Sequence, residues 1–251
     1  MLDNSEASLN KQVLLMLSGG RDSFLSACRL VADEYQVMTV TYDNGCMSHA
    51  ANALEVSKRL AQRFGDDRIR SVGIYTIAQD LRPLLEDLLY LDIADICAEY
   101  PHLLLSQVNC LACHTIMYTH SIAYCKAHSI QTMAVGARKQ QQFFVELPEM
   151  KVHYEELCKR YGIELLLPVY DLQSDIQRKN ELASWGFLPK SYEPQCWLGC
   201  PMKNSLTKEQ CLDLNRYYEK KIAPLADENI ARLIPLKKMY YSDMSMEKGY
   251  V

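Results

Sequence analysis

No stretch of this 251-residue chain approaches the roughly eighteen consecutive apolar residues that a membrane-spanning helix requires, so no membrane role is expected. A basic surplus is missing too: 27 Lys and Arg stand against 31 Asp and Glu, a formal charge of −4. Proteins that grip long nucleic acids carry a basic face, so this balance favours a small substrate over an extended RNA surface. The amino terminus, Met1-Leu2-Asp3-Asn4-Ser5-Glu6, lacks the positive start and apolar core of a secretory signal, which makes a cytoplasmic location the expectation. Nor is there an internal repeat, a low-complexity tract or a clear linker. What remains is an ordinary globular composition, 49% apolar and 23% charged. The length suits one α/β domain with at most a modest appendage.

Cysteine is abundant, with ten in the chain. In a cytoplasmic protein that count points to metal binding or redox chemistry before disulfides. Cys28, Cys46, Cys97, Cys125, Cys158 and Cys211 sit singly and read as small apolar residues. The other four form two close pairs, Cys110-Leu111-Ala112-Cys113 and Cys196-Trp197-Leu198-Gly199-Cys200. A close pair joined to a distant close pair is the usual way to build a tetrahedral thiolate site, so Cys110, Cys113, Cys196 and Cys200 are the candidate metal ligands. The wider second spacing departs from a zinc ribbon. The plainer alternative is two unrelated pairs, one of them a redox Cys-x-x-Cys.

Val13-Leu14-Leu15-Met16-Leu17 is a continuous apolar run stopped by a Ser-Gly-Gly turn, the pattern of a buried parallel strand. Helical spacing follows over 24–34, with Asp22 or Ser23 as the cap. A strand over 36–42 ends in the turn residues Asp43-Asn44-Gly45, an amphipathic helix covers 50–64, and a third strand covers 69–75. This β-α-β-α-β order predicts an α/β fold with a doubly wound parallel sheet. Further on, 81–105 reads as helical but broken at Pro101, and 111–128 reads as a helix, with the Cys110-Leu111-Ala112-Cys113 pair read as preceding it. A strand over 132–135 stops at Gly136, a helix covers 152–161, a strand over 163–167 closes at Pro168, and a helix covers 176–185. From Pro189 the pattern loosens into a cysteine-containing loop, then a charged helix over 207–221, and the tail from Ala223 has no strong pattern. The expected division is an α/β domain over 1–205 and a small C-terminal helical extension over 206–251 packed on it.

The first turn carries the most chemistry. Two adjacent glycines let a backbone approach phosphate closely, and the helix that follows offers unpaired amides and the positive end of its dipole. Ser18 and Ser23 add hydroxyls and Arg21 adds charge. No lysine follows the glycines, and neither the G-x-x-x-x-G-K-[ST] loop nor the dinucleotide G-x-G-x-x-G is met. The six residues Ser18-Gly19-Gly20-Arg21-Asp22-Ser23 instead resemble the S-G-G-x-D-S signature of the PP-loop (N-type) ATP pyrophosphatases. The resemblance suits about residues 12–200 and implies a Rossmann-like, HUP-type sheet of strand order 3-2-1-4-5. It implies ATP with Mg²⁺ as cofactors, cleavage between the α and β phosphates, and transfer of AMP to a carbonyl oxygen, which a nitrogen or sulfur nucleophile then displaces. By the same resemblance Asp43-Asn44-Gly45, after the second strand, lies where the adenosine end is held. Gly136-Ala137-Arg138-Lys139, after the fourth strand, lies on the same edge, where many members have Gly-His; Arg138 and Lys139 are either phosphate ligands or a solvated basic turn.

The cysteines divide the relatives. PP-loop tRNA thiolation enzymes carry a Cys-x-x-Cys after the third strand and a further cysteine after the fifth, which together hold a [4Fe–4S] cluster; Cys110, Cys113 and either Cys196 or Cys200 are similar in layout. The 7-cyano-7-deazaguanine synthases keep four zinc cysteines near their C-terminus, and the segment 192–203 is partly similar to that end. Sugar amidotransferases of the superfamily also carry a Cys-x-x-Cys, and Thr41 to Gly45 resembles their strand-end pattern. The leading expectation is therefore an AMP-forming sulfurtransferase acting on a nucleobase, free or in tRNA. Asp22, Ser23, Cys110 and Cys200 are its catalytic candidates, with a [4Fe–4S] cluster or Zn²⁺ as metal. A sulfur donor is its implied partner, and a homodimer would help to hold a tRNA in the absence of an RNA-binding segment. An amide- or nitrile-forming ligase with structural zinc and a nucleotide sensor without turnover are the rivals.

Three further features bear on the site. His114, beside Cys113, reads as a surface histidine before a ligand. The segment 140–149, with paired phenylalanines and Glu146 and Glu149, suits either a substrate lid or an anchored loop. Trp197, between two cysteines, suits shielding of a site or stacking on a base.

Overall fold

Val13, Leu14 and Leu15 are wholly buried, as an apolar run without polar alternation demands of a strand covered on both faces. They lie in β1 (Gln12–Met16). The computed structural model describes residues 11–86, 88, 93–141, 144–197 and 206–243. β1 is the middle of a five-stranded, all-parallel sheet with β2 (Gln36–Asp43), β3 (Ile69–Thr76), β4 (Thr132–Val135) and β5 (Glu164–Leu166), in the order β3-β2-β1-β4-β5. The registers are parallel throughout: Leu14 pairs with Met38 on one side and Met133 on the other. The expected α/β class and strand order both hold.

Alternate side chains of the strands feed two cores. On one face Val13, Leu15, Val37 and Ile69 meet α1 (Arg21–Ala32), α2 (Asn52–Phe64) and α7 (Asp175–Ser184) through Phe24, Leu25, Leu60 and Leu182. On the other, Leu14, Met38, Val40 and Met133 meet α3 (Ala78–Leu85), α4 (Ile93–Glu99), α5 (Leu105–Ala127) and α6 (Pro148–Arg160). Each fully buried Leu or Ile side chain contributes about 2 kcal/mol of transfer free energy, so the two covered faces fix the sheet between its helices. The C-terminal helices α8 (Lys208–Tyr217) and α9 (Ala223–Asp243) belong to this second core, through Leu214, Tyr217, Ile222 and Ile230.

Two helices differ from the expectation. α5 starts at Leu105, so Cys110 and Cys113 lie inside a helix rather than before one. The helix is apolar nearly all round because it is buried, and that hides its first turns from a search for amphipathic spacing. The tail after Ala223, expected to be patternless, forms α9, whose Ala226, Ile230 and Leu233 are buried at helical spacing against α5. Pro224 and Pro235 mask that spacing, and Pro224 closely follows the π turn that joins α8 to α9. Between α8 and α9 the chain passes through one π turn, Tyr218–Ile222.

Candidate active site

β1 has β2 on one side and β4 on the other, and the chain crosses faces between them, so a crevice opens at the carboxyl edge beside β1. Ser18–Ser23 lies there. Gly19 takes φ +83°, a conformation that only glycine adopts without cost, and an added Cβ would stand 3.0 Å from the Tyr192 carbonyl. The hydroxyls knit the loop: the Gly20 amide donates to Ser18 Oγ (3.1 Å), the Ser18 amide to Ser23 Oγ (3.2 Å), and Ser23 Oγ to the Gly20 carbonyl (3.1 Å). Gly20 is the N-cap of α1 and offers no side-chain acceptor, which leaves the first amides of the helix for an outside anion.

Beside the loop is a cavity of about 440 Å³ lined by Arg21, Asp22, Arg138, Arg178, Ser191 and Glu193, among others. Asp22 is held from two sides, by Arg178 Nη1 at 2.5 Å and by Arg138 Nε at 3.3 Å. Arg178 in turn bonds Asp175, which also meets Arg21 at 3.7 Å. Three guanidinium groups thus surround the opening of α1, an arrangement suited to a pyrophosphate. Gly136 is a packing position: a Cβ there would stand 2.5 Å from the Ser23 amide nitrogen, so β4 can pass the loop only as glycine. Of the basic turn, Arg138 lines the cavity, whereas Lys139 is exposed and its amide donates to the Tyr170 carbonyl (3.1 Å). Glu146 lies behind Arg138, accepting its amide at 3.2 Å. Burial, opposed by that amide and aided by the Asp22 charge, pushes its carboxyl up to about 8. In the segment expected as a lid, Gln142 and Phe143 lie outside the described residues.

The cysteines gather one turn away, at the end of β2. Asn44 is buried, and its amide nitrogen stands 3.4 Å from both Cys113 Sγ and Cys196 Sγ. Asn44 Oδ1 accepts from the Cys46 amide at 2.9 Å, and Asp43 Oδ1 accepts from that of Gly45 at 2.9 Å. Cys110 precedes Cys113 by one helical turn on α5. Burial, with the nearby Cys196, Cys110 and Cys46, pushes the Cys113 thiol up to about 12. Cys46, read from sequence as a buried apolar residue, is half-buried and within electrostatic reach of Cys196. Cys200 lies outside the described residues. His114 is partly buried rather than a surface group, and burial pushes its imidazole down to about 4, which keeps it neutral near pH 7.

Among the described residues no three His, Cys, Asp or Glu side chains form a group that could hold a metal ion. The Asn44 amide donates to both Cys113 and Cys196. As placed, Cys110, Cys113 and Cys196 form no three-ligand group, and the fourth candidate, Cys200, lies outside the described residues.

Sequence reasoning missed Arg178 and Glu193. Arg178 follows the helix cap Ser174, whose Oγ accepts from Gln177 N at 3.1 Å, but nothing in that spacing announces a partner on α1. Asn44 was expected with Asp43 and Gly45 at the adenosine end, and its bonds to the two thiols were not visible in sequence.

Two solved structures share this architecture. The structure of NMN synthetase from Francisella tularensis has TM-score 0.53 and 12% identity, and the match covers 97% of this chain and 90% of that one. A 4-thiouridine synthetase–RNA complex with bound ATP also has TM-score 0.53 and 12% identity, over 93% of this chain and 54% of the other. The present chain thus spans about half the length of that synthetase. No family model matches the sequence, and no curated protein matches it. Identities this low establish the fold alone: the α/β architecture of these structures.

Proposed function

We propose that this protein binds ATP at Ser18–Ser23, splits it between the α and β phosphates, and activates a substrate carbonyl as its adenylate for attack by sulfur. The observation that carries the reading is the Ser-Gly-Gly loop opening α1 beside Arg21, Arg138 and Arg178. A carbonyl oxygen attacks the α phosphorus, the bond to the β phosphate breaks, and pyrophosphate leaves with the electron pair. The α1 amides and the arginines hold the charge that develops on the departing group. AMP leaves from the activated carbon when the nucleophile adds. No phosphoryl group is passed to a protein side chain.

Sulfur is favoured over nitrogen because Cys46, Cys113 and Cys196 collect at the end of β2, the same sheet edge as the phosphate loop. The substrate we favour is a nucleobase, free or within tRNA. Mg²⁺ comes with the nucleotide, since it is commonly held by phosphates plus one or two carboxylates. A [4Fe–4S] cluster or Zn²⁺ on Cys110, Cys113, Cys196 and Cys200 is a separate part of the proposal, and no step runs through it.

The test is release of AMP and pyrophosphate from ATP across a panel of nucleobases and tRNA, with sulfide supplied. Asp22→Ala and Ser23→Ala are expected to abolish it in folded protein. Release of ADP and phosphate, or unchanged turnover in both variants, would overturn the reading. Dependence on a carboxylate and ammonia in place of sulfide would make the protein a C–N ligase. Iron, sulfide and zinc analysis after anaerobic purification decides the metal.

A further inference from the structure

Glu193 sits in the place that the phosphate reading gives to an anion. A Cβ built on Gly20 would stand 2.9 Å from Glu193 Oε2, so the carboxylate lies directly on the second glycine of the loop. Ser18 bonds the same carboxylate, and Arg21 and Arg178 act on it electrostatically. These are the hydroxyl, the bare backbone and two of the cations assigned above to pyrophosphate. Burial and the Asp22 charge push the Glu193 carboxyl up, so its release to water relieves a desolvated group.

The chain around Glu193 is pinned at two points. On one side the Tyr192 amide donates to the Gly19 carbonyl (2.9 Å), and the Tyr192 ring lies under Arg59 at 5.1 Å. On the other, the segment pairs antiparallel with the loop after β2: Ser48 N donates to Gln195 O (2.9 Å), Trp197 N to Cys46 O (2.9 Å), and Met47 bridges Cys196. Cys196 Sγ then meets Asn44. From Glu193 to Cys196 there is at most about 10 Å of extended chain, and Pro194 stiffens it. If the carboxylate leaves by moving its backbone, Cys196 moves with it, whereas rotation of the side chain alone leaves the thiol in place.

We propose that residues 191–197 form a strap whose Glu193 carboxylate occupies the phosphate cradle, and that a nucleotide's phosphates displace it and move Cys196 in the same step. The proposal rests on the ATP reading and adds an autoinhibitory contact to it. It makes the position of Cys196 a reporter of whether the cradle is filled, so the thiol group is rearranged only when ATP is bound.

Trp197 is 83% exposed on the strap and is one of only two tryptophans, the other being Trp185. In a Trp185→Phe background, its fluorescence is titrated with inorganic pyrophosphate and with ATP, each with and without Mg²⁺. Calorimetry gives the affinities, and mass spectrometry follows the rate of Cys196 alkylation. The expected result is a saturable Trp197 signal and an altered Cys196 rate. Glu193→Gln should bind pyrophosphate roughly five- to fiftyfold tighter without Mg²⁺, with Glu193→Asp between it and the parent. Equal or weaker binding by Glu193→Gln, or binding without any change at Trp197 and Cys196, overturns the strap while leaving the phosphate site intact. If neither parent nor variant binds pyrophosphate or ATP, the phosphate reading falls and the strap with it.

Discussion

Arg178 Nη1 donates to Asp22 Oδ2 at 2.5 Å across 156 residues of sequence, and it joins the first turn of α1 to the first turn of α7. Both side chains are nearly buried, 7% and 13% exposed. The pair fixes the carboxylate of the S-G-G-x-D-S motif and presents a fixed cation to the cavity. A fixed charge needs no reorganisation when a negative group develops beside it, so the pair serves charge stabilisation more than stability.

Replacing Arg178 by Ala should therefore cost more in catalysis than in folding. Asp22 keeps Arg138, so the stability loss should stay at the low side of the roughly 3–5 kcal/mol that breaking a buried pair costs. Pyrophosphate release should fall about 10²- to 10³-fold, as when one fixed donor to a developing anion is removed. Urea denaturation and the release assay measure the two numbers. Arg178→Lys keeps the charge but loses the two-pronged bond to Asp22 and Asp175, and it should recover only part of the rate.

Gly136→Ala tests how tightly β4 packs on the loop. The new methyl would overlap the backbone of Asp22 and Ser23 at 2.5–2.8 Å, and backbone cannot rotate away. Overpacking of this kind costs about 1–3 kcal/mol, which for a chain of this size is roughly 3–10 °C in Tm. Pyrophosphate affinity should fall with it, because the amides that move are those at the start of α1. Gly162→Ala is the control: it has φ +69° and open space around it, so it should cost about 1–2 kcal/mol and leave binding unchanged.

The parts of this architecture that were legible in sequence are those written in local pattern. Val13 to Leu17 followed by Ser18-Gly19-Gly20 declares a buried strand and a phosphate turn within eight residues, and Ala53, Val56 and Leu60 declare one face of α2. The start of α5 was hidden because a helix buried on most sides has no polar face to contrast with its apolar one. α9 was hidden because two prolines interrupt a spacing that its burial against α5 restores. The site was half legible for a related reason. Asp22 and the serines come from one loop, but their partners Arg178, Glu193 and Arg138 arrive from three later segments, brought together by the order of the strands. Cys46 could not be grouped with Cys113 and Cys196 until the sheet placed the end of β2 beside α5.

Glu146 gives the protein a pH dependence with a definite sign. Its carboxyl is raised from 4.5 to about 8, chiefly by burial, and Oε2 has no hydrogen-bond partner among the described residues. The folded state then holds a proton that the unfolded state releases between those values. Stability should fall as pH rises from about 4.5 to 8 and level off above it. The shift corresponds to roughly 5 kcal/mol as an upper bound, and partial exposure reduces it. Glu146→Gln keeps an oxygen for the Arg138 amide and does not titrate. Its Tm should match the parent near pH 4.5 and exceed it by a growing margin up to pH 8. A margin independent of pH would show that the carboxyl ionises freely.

Asn44→Ala separates two views of the thiol group. As the structure stands, the Asn44 side chain bonds Cys113, Cys196 and the Cys46 amide, and so ties α5, the segment carrying Cys196 and the loop after β2 to one buried amide. Removing it leaves the Cys46 amide without its partner and the two sulfurs without a donor. Loss of one buried hydrogen-bonding group costs about 1–3 kcal/mol. Native-state alkylation of Cys196 should become faster, because the thiol is already half-buried and loses its tether. Cys113 should remain slow, since it stays inside α5 with its thiol pushed up to about 12, and its rate should climb with pH without a plateau below pH 10. If Asn44 instead only fills the space of an absent metal, the Ala variant should bind Zn²⁺ or an iron–sulfur cluster more tightly than the parent and protect both cysteines. Faster alkylation of Cys196 alone, with no gain in metal, supports the amide-centred arrangement.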